Sequence, residues 1–142
     1  MSEMKQPNDG VTPVSLVGLR LVILMYDGAI GALHKAIAAI EDGDIEKRCE
    51  SVNMAMEILT HLCVALDFEQ GGVIAASLND LYRSMIARLV RVNLLNDPKP
   101  AREVLRILEP LYDTWRKVDE KIALGVAAHE LTAEPQALRA VG

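Results

Sequence analysis

The stretch DIEKRCESVNMAMEILTHLCVAL, residues 44–66, has the most regular apolar pattern in the chain and decides the fold class. Its apolar side chains recur at alternating intervals of four and three residues, which places them along one face of an α-helix. A face of this kind is typical of a helix packed in a bundle. Its members are Ile45, Cys49, Val52, Met56, Leu59, Cys63 and Leu66.

Three further helices are predicted by the same criterion. Turn residues separate them, and short connections force consecutive helices to run antiparallel. The sequence therefore predicts an all-α fold, an antiparallel up-down four-helix bundle. The predicted bounds are Val14–Asp42, Asp44–Leu66, a third helix from after Gly71-Gly72 to Leu95, and Ala101–Ala128.

The ends of the chain have little apolar periodicity. Residues 1–13 are predicted to form a mobile N-terminal arm, residues 14–129 the bundle, and residues 130–142 a flexible tail. Asp44 is a candidate N-cap for the second helix, after Gly43 ends the first. Pro110 removes a backbone donor inside the fourth helix and predicts a kink there.

Three of the predicted helices carry more apolar residues than one packed face requires. Two interpretations stay open: these residues thicken the core, or they form an exposed groove for a partner peptide. On the second helix the extra residues lie almost opposite the first face, at steps of four, four and three. The candidate partner-binding residues are Met54, Ile58, Leu62 and Ala65 on the second helix, Ile86, Val90 and Leu94 on the third, and Leu21, Leu24 and Met25 on the first.

Length and charge limit the possible partners. A chain of 142 residues is predicted to form one domain. Its net charge of −5 argues against a nucleic-acid partner, which needs a basic face, and suits a cytoplasmic protein. The N-terminus lacks the apolar segment of a signal peptide. The most apolar stretch, Leu16–Met25, is ten residues long and too short to span a bilayer, which needs about 20 residues.

The sequence contains no recognisable catalytic or metal-binding motif. A di-iron bundle needs Glu three residues before His, but Gly31, Ile58 and Val126 occupy those positions. Cys49 and Cys63 lie about 21 Å apart along one helix, from a rise of ~1.5 Å per residue, and are expected to be small apolar residues. We therefore predict no enzyme activity, no metal and no cofactor.

Six short motifs, in order along residues 19–118, resemble the flagellar secretion chaperone family FliS. None is diagnostic alone, but the ordered set is specific. They are Met25 through Ala29, Gly43-Asp44, Leu66 through Gly72, Leu81-Tyr82, Asn93 through Pro98, and Asp113-Thr114-Trp115.

The resemblance implies a cytosolic export chaperone with a helical-bundle fold. Such a protein binds the disordered C-terminal segment of flagellin, prevents its premature polymerisation and assists its delivery to the flagellar type III export apparatus, with the export gate as a possible second partner. For the motif residues we expect structural roles, with Tyr26 on the core face and Gly28 in close helix packing.

A second hypothesis belongs to a different class of function. The residues Met54, Ile58, Leu62 and Ala65 would then mediate self-association of a structural helical module. Neither hypothesis involves nucleic acid or membrane insertion. The export chaperone is the main hypothesis, because the ordered motifs and the surplus apolar residues both favour it, and self-association is the alternative.

Overall fold

The computed structural model describes residues 13–125, with side chains from Gly18 onward. Within this range there are four helices and no strand, so the predicted all-α class is confirmed. The predicted arm up to residue 12 and the tail at 130–142 lie outside the described residues. The helices are α1 (Pro13–Asp42), α2 (Ile45–Val64), α3 (Phe68–Leu95) and α4 (Lys99–Ala123).

Aspartates cap the starts of two helices. The Asp44 carboxylate accepts a hydrogen bond from the Lys47 backbone N–H at 3.0 Å, as the sequence predicts. The Asp67 carboxylate accepts one from the Gln70 N–H at 3.0 Å. Each cap satisfies a backbone donor that would otherwise have no partner at the helix start.

The start of α3 differs from the prediction. The helix begins at Phe68 rather than after Gly71-Gly72, because Asp67 supplies a cap four residues earlier than Gly71. The glycines act inside the helix: Gly72 has φ 52° and ψ −124°, a conformation that favours glycine, and it kinks α3.

The far end of α4 also differs from the prediction. The helix ends at Ala123, five residues before the predicted Ala128, and Gly125 follows with φ 72°. Pro110 lies inside α4, which continues as helix through it. The predicted kink at this proline stays a prediction.

The order of cross-helix polar contacts shows that α1 and α4 run antiparallel. Successive residues along α1 meet partners with decreasing residue numbers on α4: ion pairs join Arg20 to Asp119 at 3.1 Å and Glu41 to Arg102 at 3.6 Å, and between them His34 Nε2 lies 3.4 Å from Glu109 Oε2. Each helix packs against two neighbours, in the cyclic order α1, α2, α3, α4. This is the predicted up-down bundle.

The core is built from aliphatic side chains with three aromatic residues among them. Tyr26 and Tyr82 are almost fully buried, and Trp115, in the C-terminal half of α4, is buried as well. Much of the remaining core is alanine and leucine, which lets the helices approach closely and suits helical structure. The largest fully buried side chains besides the tyrosines are Leu19, Leu33, Leu59, Leu62, Met85, Leu89 and Leu108.

α1 is the most apolar helix. Its segment Gly18–Asp42, 25 residues, is long and apolar enough to span a membrane by length and composition alone. This segment is longer than the ten-residue apolar stretch, Leu16–Met25, that the sequence analysis considered. In the bundle this segment contributes Leu19, Tyr26 and Leu33 to the core. A core helix of a globular bundle has the same composition, so length and composition are weak evidence for a membrane span.

A buried hydrogen bond joins α1 to α3 through the centre of the bundle. The hydroxyl oxygens of Tyr26 and Tyr82 lie 2.7 Å apart, and the two rings meet edge to face with centroids 6.3 Å apart. Burial raises the pKa of Tyr26, and its hydrogen bond with Tyr82 partly offsets the rise. Burial, reinforced by the neighbouring Tyr26, raises the pKa of Tyr82 strongly. Both hydroxyls therefore lose their protons at a higher pH in the folded chain than in the unfolded chain.

This pair predicts a loss of stability in alkali. In the unfolded chain a tyrosine ionises near pH 10. Above that pH the unfolded chain binds fewer protons than the folded one, so the free energy of unfolding falls, by about 1.4 kcal/mol per pH unit for each tyrosine. We expect the double variant Tyr26→Phe, Tyr82→Phe to be near wild-type at pH 8, because both hydroxyls are removed together, and to lose stability less steeply above pH 10.

Urea unfolding between pH 8 and pH 11 measures the two profiles. Tyr112→Phe, at a half-buried tyrosine on α4, is the matched control for the loss of a phenolic hydroxyl outside the core pair. An identical slope in the double variant would show that other groups dominate the alkaline transition.

Candidate partner-binding surface

The described part of the bundle exposes many large apolar side chains. Leu21 and Leu24 are 56% and 66% exposed near the start of α1. Val64 and Phe68 flank the turn between α2 and α3, at the same end of the antiparallel bundle. The others are Ile45, Met54, Val73, Val90, Leu94, Leu95 and Leu124. Where such side chains adjoin, exposed apolar surface marks interaction sites in soluble proteins.

An apolar concavity lies between α2 and α3 and is called here the α2/α3 groove. It has a volume of about 450 Å³ and is lined by Thr60, Cys63, Val64, Arg83, Ile86 and Ala87. Val90 and Leu94 follow Ile86 at intervals of four residues, so they continue the apolar line along α3. Their exposed fractions are 43% and 75%. The three predicted α3 residues therefore lie along one side of a helix beside this groove.

The α2/α3 groove carries little negative charge. Burial raises the pKa of the Cys63 thiol, and the nearby Arg83 guanidinium partly offsets that rise. The thiol is therefore neutral, and Arg83 is the one charged residue among the six that line the groove. A ligand here would meet apolar surface with a single cation at its edge.

Two of the three predicted α1 residues lie on the outer side of that helix. Leu21 and Leu24 are exposed, whereas Met25 is half-buried and packs against the core. Gly28, one turn further on, lies against α2: a Cβ atom there would be 3.3 Å from Ile58 Cδ1. This contact supports the predicted close packing at Gly28.

The predicted exposed stripe on α2 is not continuous, and this prediction is wrong for Leu62. Leu62 is 2% exposed and belongs to the core, and Ile58 is half-buried against it. Met54 is 54% exposed, and Ala65, the C-cap of α2, is also exposed. The buried arc of α2 consists of Arg48, Ser51, Val52, Ala55, Leu59 and Leu62.

The arc is displaced because α2 has two packing partners. It faces α1 on one side and α3 on the other. Residues such as Ile58 turn toward α1, while Cys63 turns toward α3 and is half-buried. The buried face of α2 therefore lies between the two faces predicted from apolar spacing, the packed face that contains Val52 and the extra face that contains Ile58.

Several exposed apolar residues were missed in the sequence. Val64 lies at the end of α2, and Phe68 and Val73 lie near the start of α3, around the kink at Gly72. Apolar spacing gives no signal at helix ends, because a pattern needs several turns to register. The one local indication of an exposed apolar residue is Phe68, which directly follows the capping Asp67 and so occupies the first, exposed turn of α3.

The described residues offer no site for metal chemistry. Within residues 13–125, no three His, Cys, Asp or Glu side chains come together in a way that could hold an ion. Both cysteines are free and half-buried. The described residues thus form a four-helix bundle with an apolar groove on its outside, a surface of the kind that helical protein-binding modules use.

Comparison with known proteins places this module in a family. The family model described as "Flagellar protein FliS" matches residues 15–122. The flagellar secretion chaperone FliS of Salmonella typhimurium is 36% identical over 103 residues, 72% of this chain and 76% of the relative. FliSB of Pseudomonas aeruginosa is 36% identical over 96 residues, 68% and 76% of the two chains. FliS of Vibrio cholerae is 30% identical over 114 residues, 80% and 79%. The chain belongs to the FliS family of flagellar secretion chaperones.

The different burial of two residues on α2 gives a test of the corrected core. Leu62→Ala should lower the free energy of unfolding by about 2–5 kcal/mol, because it leaves a cavity in the core. Met54→Ala removes an exposed side chain and should change stability by about 0.5 kcal/mol or less. Chemical denaturation of both variants measures the difference. Equal effects would contradict the burial assigned to Leu62.

Proposed function

We propose that this chain binds the disordered C-terminal segment of flagellin in the cytoplasm, prevents its premature polymerisation and assists its delivery to the flagellar type III export apparatus. Membership of a family of flagellar secretion chaperones supports the proposal. The observation that carries it is the apolar α2/α3 groove, extended along α3 by Val90 and Leu94.

The energetics favour a partner that contacts more than one surface. Burying three large apolar side chains yields about 5–9 kcal/mol. Ordering a disordered segment costs about 1–2 kcal/mol per residue. One groove therefore cannot order a long segment, and a segment that becomes helical must bury apolar residues in several places.

The candidate contacts form three separate groups. On α3 they are Ile86, Val90 and Leu94, beside the groove. On α1 they are Leu21, Leu24 and Met25. On α2, Met54, Ile58 and Ala65 remain candidates, whereas Leu62 is buried in the core and is not accessible to a partner. A segment that crosses from the α2/α3 groove to the outer face of α1 would contact all three groups.

Titration calorimetry with the C-terminal ~40 residues of flagellin tests the proposal directly. We expect a 1:1 complex with a large negative heat-capacity change, because binding buries apolar surface and orders the peptide. Flagellin lacking this segment is the control and should give no heat. No binding at several temperatures would contradict the proposal. A tight homodimer in light scattering that the peptide does not dissociate would instead support self-association.

Two exposed residues on α3 give a matched test of the proposed contacts. Leu94 is 75% exposed on the predicted contact line, and Ser77 is an exposed polar residue nearer the start of the same helix. Leu94→Asp should weaken peptide binding about tenfold or more, because it buries a charge in an apolar contact. Ser77→Asp adds the same charge outside the apolar surface and should bind as the wild type does. Both should keep the wild-type Tm, and equal affinities would remove Leu94 from the contact surface.

A further inference from the structure

The second half of the bundle carries a concentration of positive charge. Residues 81–106, the C-terminal half of α3 with the start of α4, contain six Arg and Lys and two Asp and Glu, a local net charge of +4. The whole chain has a net charge of −5, so the remaining residues together carry −9. The six cationic residues are Arg83, Arg88, Arg91, Lys99, Arg102 and Arg106.

Part of this charge lines a second concavity, called here the α3/α4 groove. It has a volume of about 440 Å³ and is lined by Ser84, Ala87, Arg88, Arg91 and Glu103. Ser84, Arg88 and Arg91 lie at intervals of four and three residues, so they share one side of α3. Two guanidinium groups and a hydroxyl thus face the same space.

The arginines of this groove are weakly neutralised by the protein itself. Arg88 Nη1 lies 4.0 Å from Glu103 Oε1, with 42% and 34% of the two side chains exposed. An ion pair this long and this exposed contributes little. Arg91 has no ion pair with any residue in the described part of the chain. The groove therefore retains donors for an anionic ligand.

We propose that the α3/α4 groove binds an acidic segment of a protein partner. A guanidinium donates two parallel hydrogen bonds to a carboxylate, so Arg88 and Arg91 suit successive acidic side chains. The Ser84 hydroxyl supplies a further donor at the same wall. Glu103 on the opposite wall limits the ligand to carboxylates that approach from the α3 side.

The charge distribution favours a short acidic peptide over a nucleic acid. A long polyanion would extend beyond residues 81–106 and meet the −9 carried by the rest of the chain. A segment of a few acidic residues would contact the basic region alone. The α3/α4 groove is also separate in chemistry from the α2/α3 groove, which is apolar and lies on the other side of Ala87.

Fluorescence anisotropy of the full chain tests this proposal. The probe is a labelled twelve-residue peptide of Glu and Ala in equal number, and its Gln counterpart is the neutral control. We expect the acidic peptide to bind at low salt and to weaken as salt rises. Arg88→Gln with Arg91→Gln should weaken binding about tenfold or more, because both carboxylate contacts are lost.

The matched control removes the same charge elsewhere. Arg116→Gln with Lys117→Gln also lowers the net charge by two, on the part of α4 beyond the groove, and should bind within about twofold of wild type. Equal losses in the two double variants would overturn the proposal, because they would show a response to net charge alone. Equal binding of the Glu and Gln peptides, or tighter binding of a single-stranded oligonucleotide of the same charge, would overturn it as well.

Discussion

The hydrogen bond between Tyr26 and Tyr82 constrains the whole bundle. Aliphatic contacts are non-directional, whereas a buried hydroxyl without a partner costs about 1–3 kcal/mol. The two oxygens meet at 2.7 Å only in one register of α1 against α3. These helices are not adjacent in the cyclic order, so α2 and α4 must fit around them. One polar contact thereby fixes the arrangement that positions both outer grooves.

Most of the fold follows from the sequence because helical periodicity survives over long segments. The four helices, the Asp44 cap and the inward Tyr26 were all predictable from spacing. The buried face of α2 differs from the predicted one partly because it includes Arg48, a charged residue that apolar spacing does not place in a core. Arg48 donates to Asn93 Oδ1 at 3.3 Å and to Asn96 Oδ1 at 2.5 Å, and this pairing needs the C-terminal end of α3. A pattern within one helix cannot reveal a partner on another.

The candidate surface was less predictable than the core for a related reason. Surplus apolar residues on a helix indicate a surface that is covered in the functional state. Whether a neighbouring helix or a partner covers that surface depends on how the helices pack. Leu62 and Leu94 look equivalent in the sequence, yet one is 2% and the other 75% exposed. The positive charge of residues 81–106 is visible in the sequence, but the α3/α4 groove is not, because its arginines and Glu103 come together only when α3 and α4 pack.

The two grooves that border α3 differ in the physical basis of any binding they support. Apolar burial, as in the α2/α3 groove, gives affinity that depends weakly on salt and changes heat capacity. Arginine contacts, as in the α3/α4 groove, speed association and weaken as ionic strength rises. Ala87 is common to both linings, so the grooves adjoin along one helix face. Tyr82 holds the inner side of the same helix in the core, so both grooves lie on the outer side of α3. Ligands in the two grooves would therefore be close enough to interact directly across Ala87, by contact or by charge.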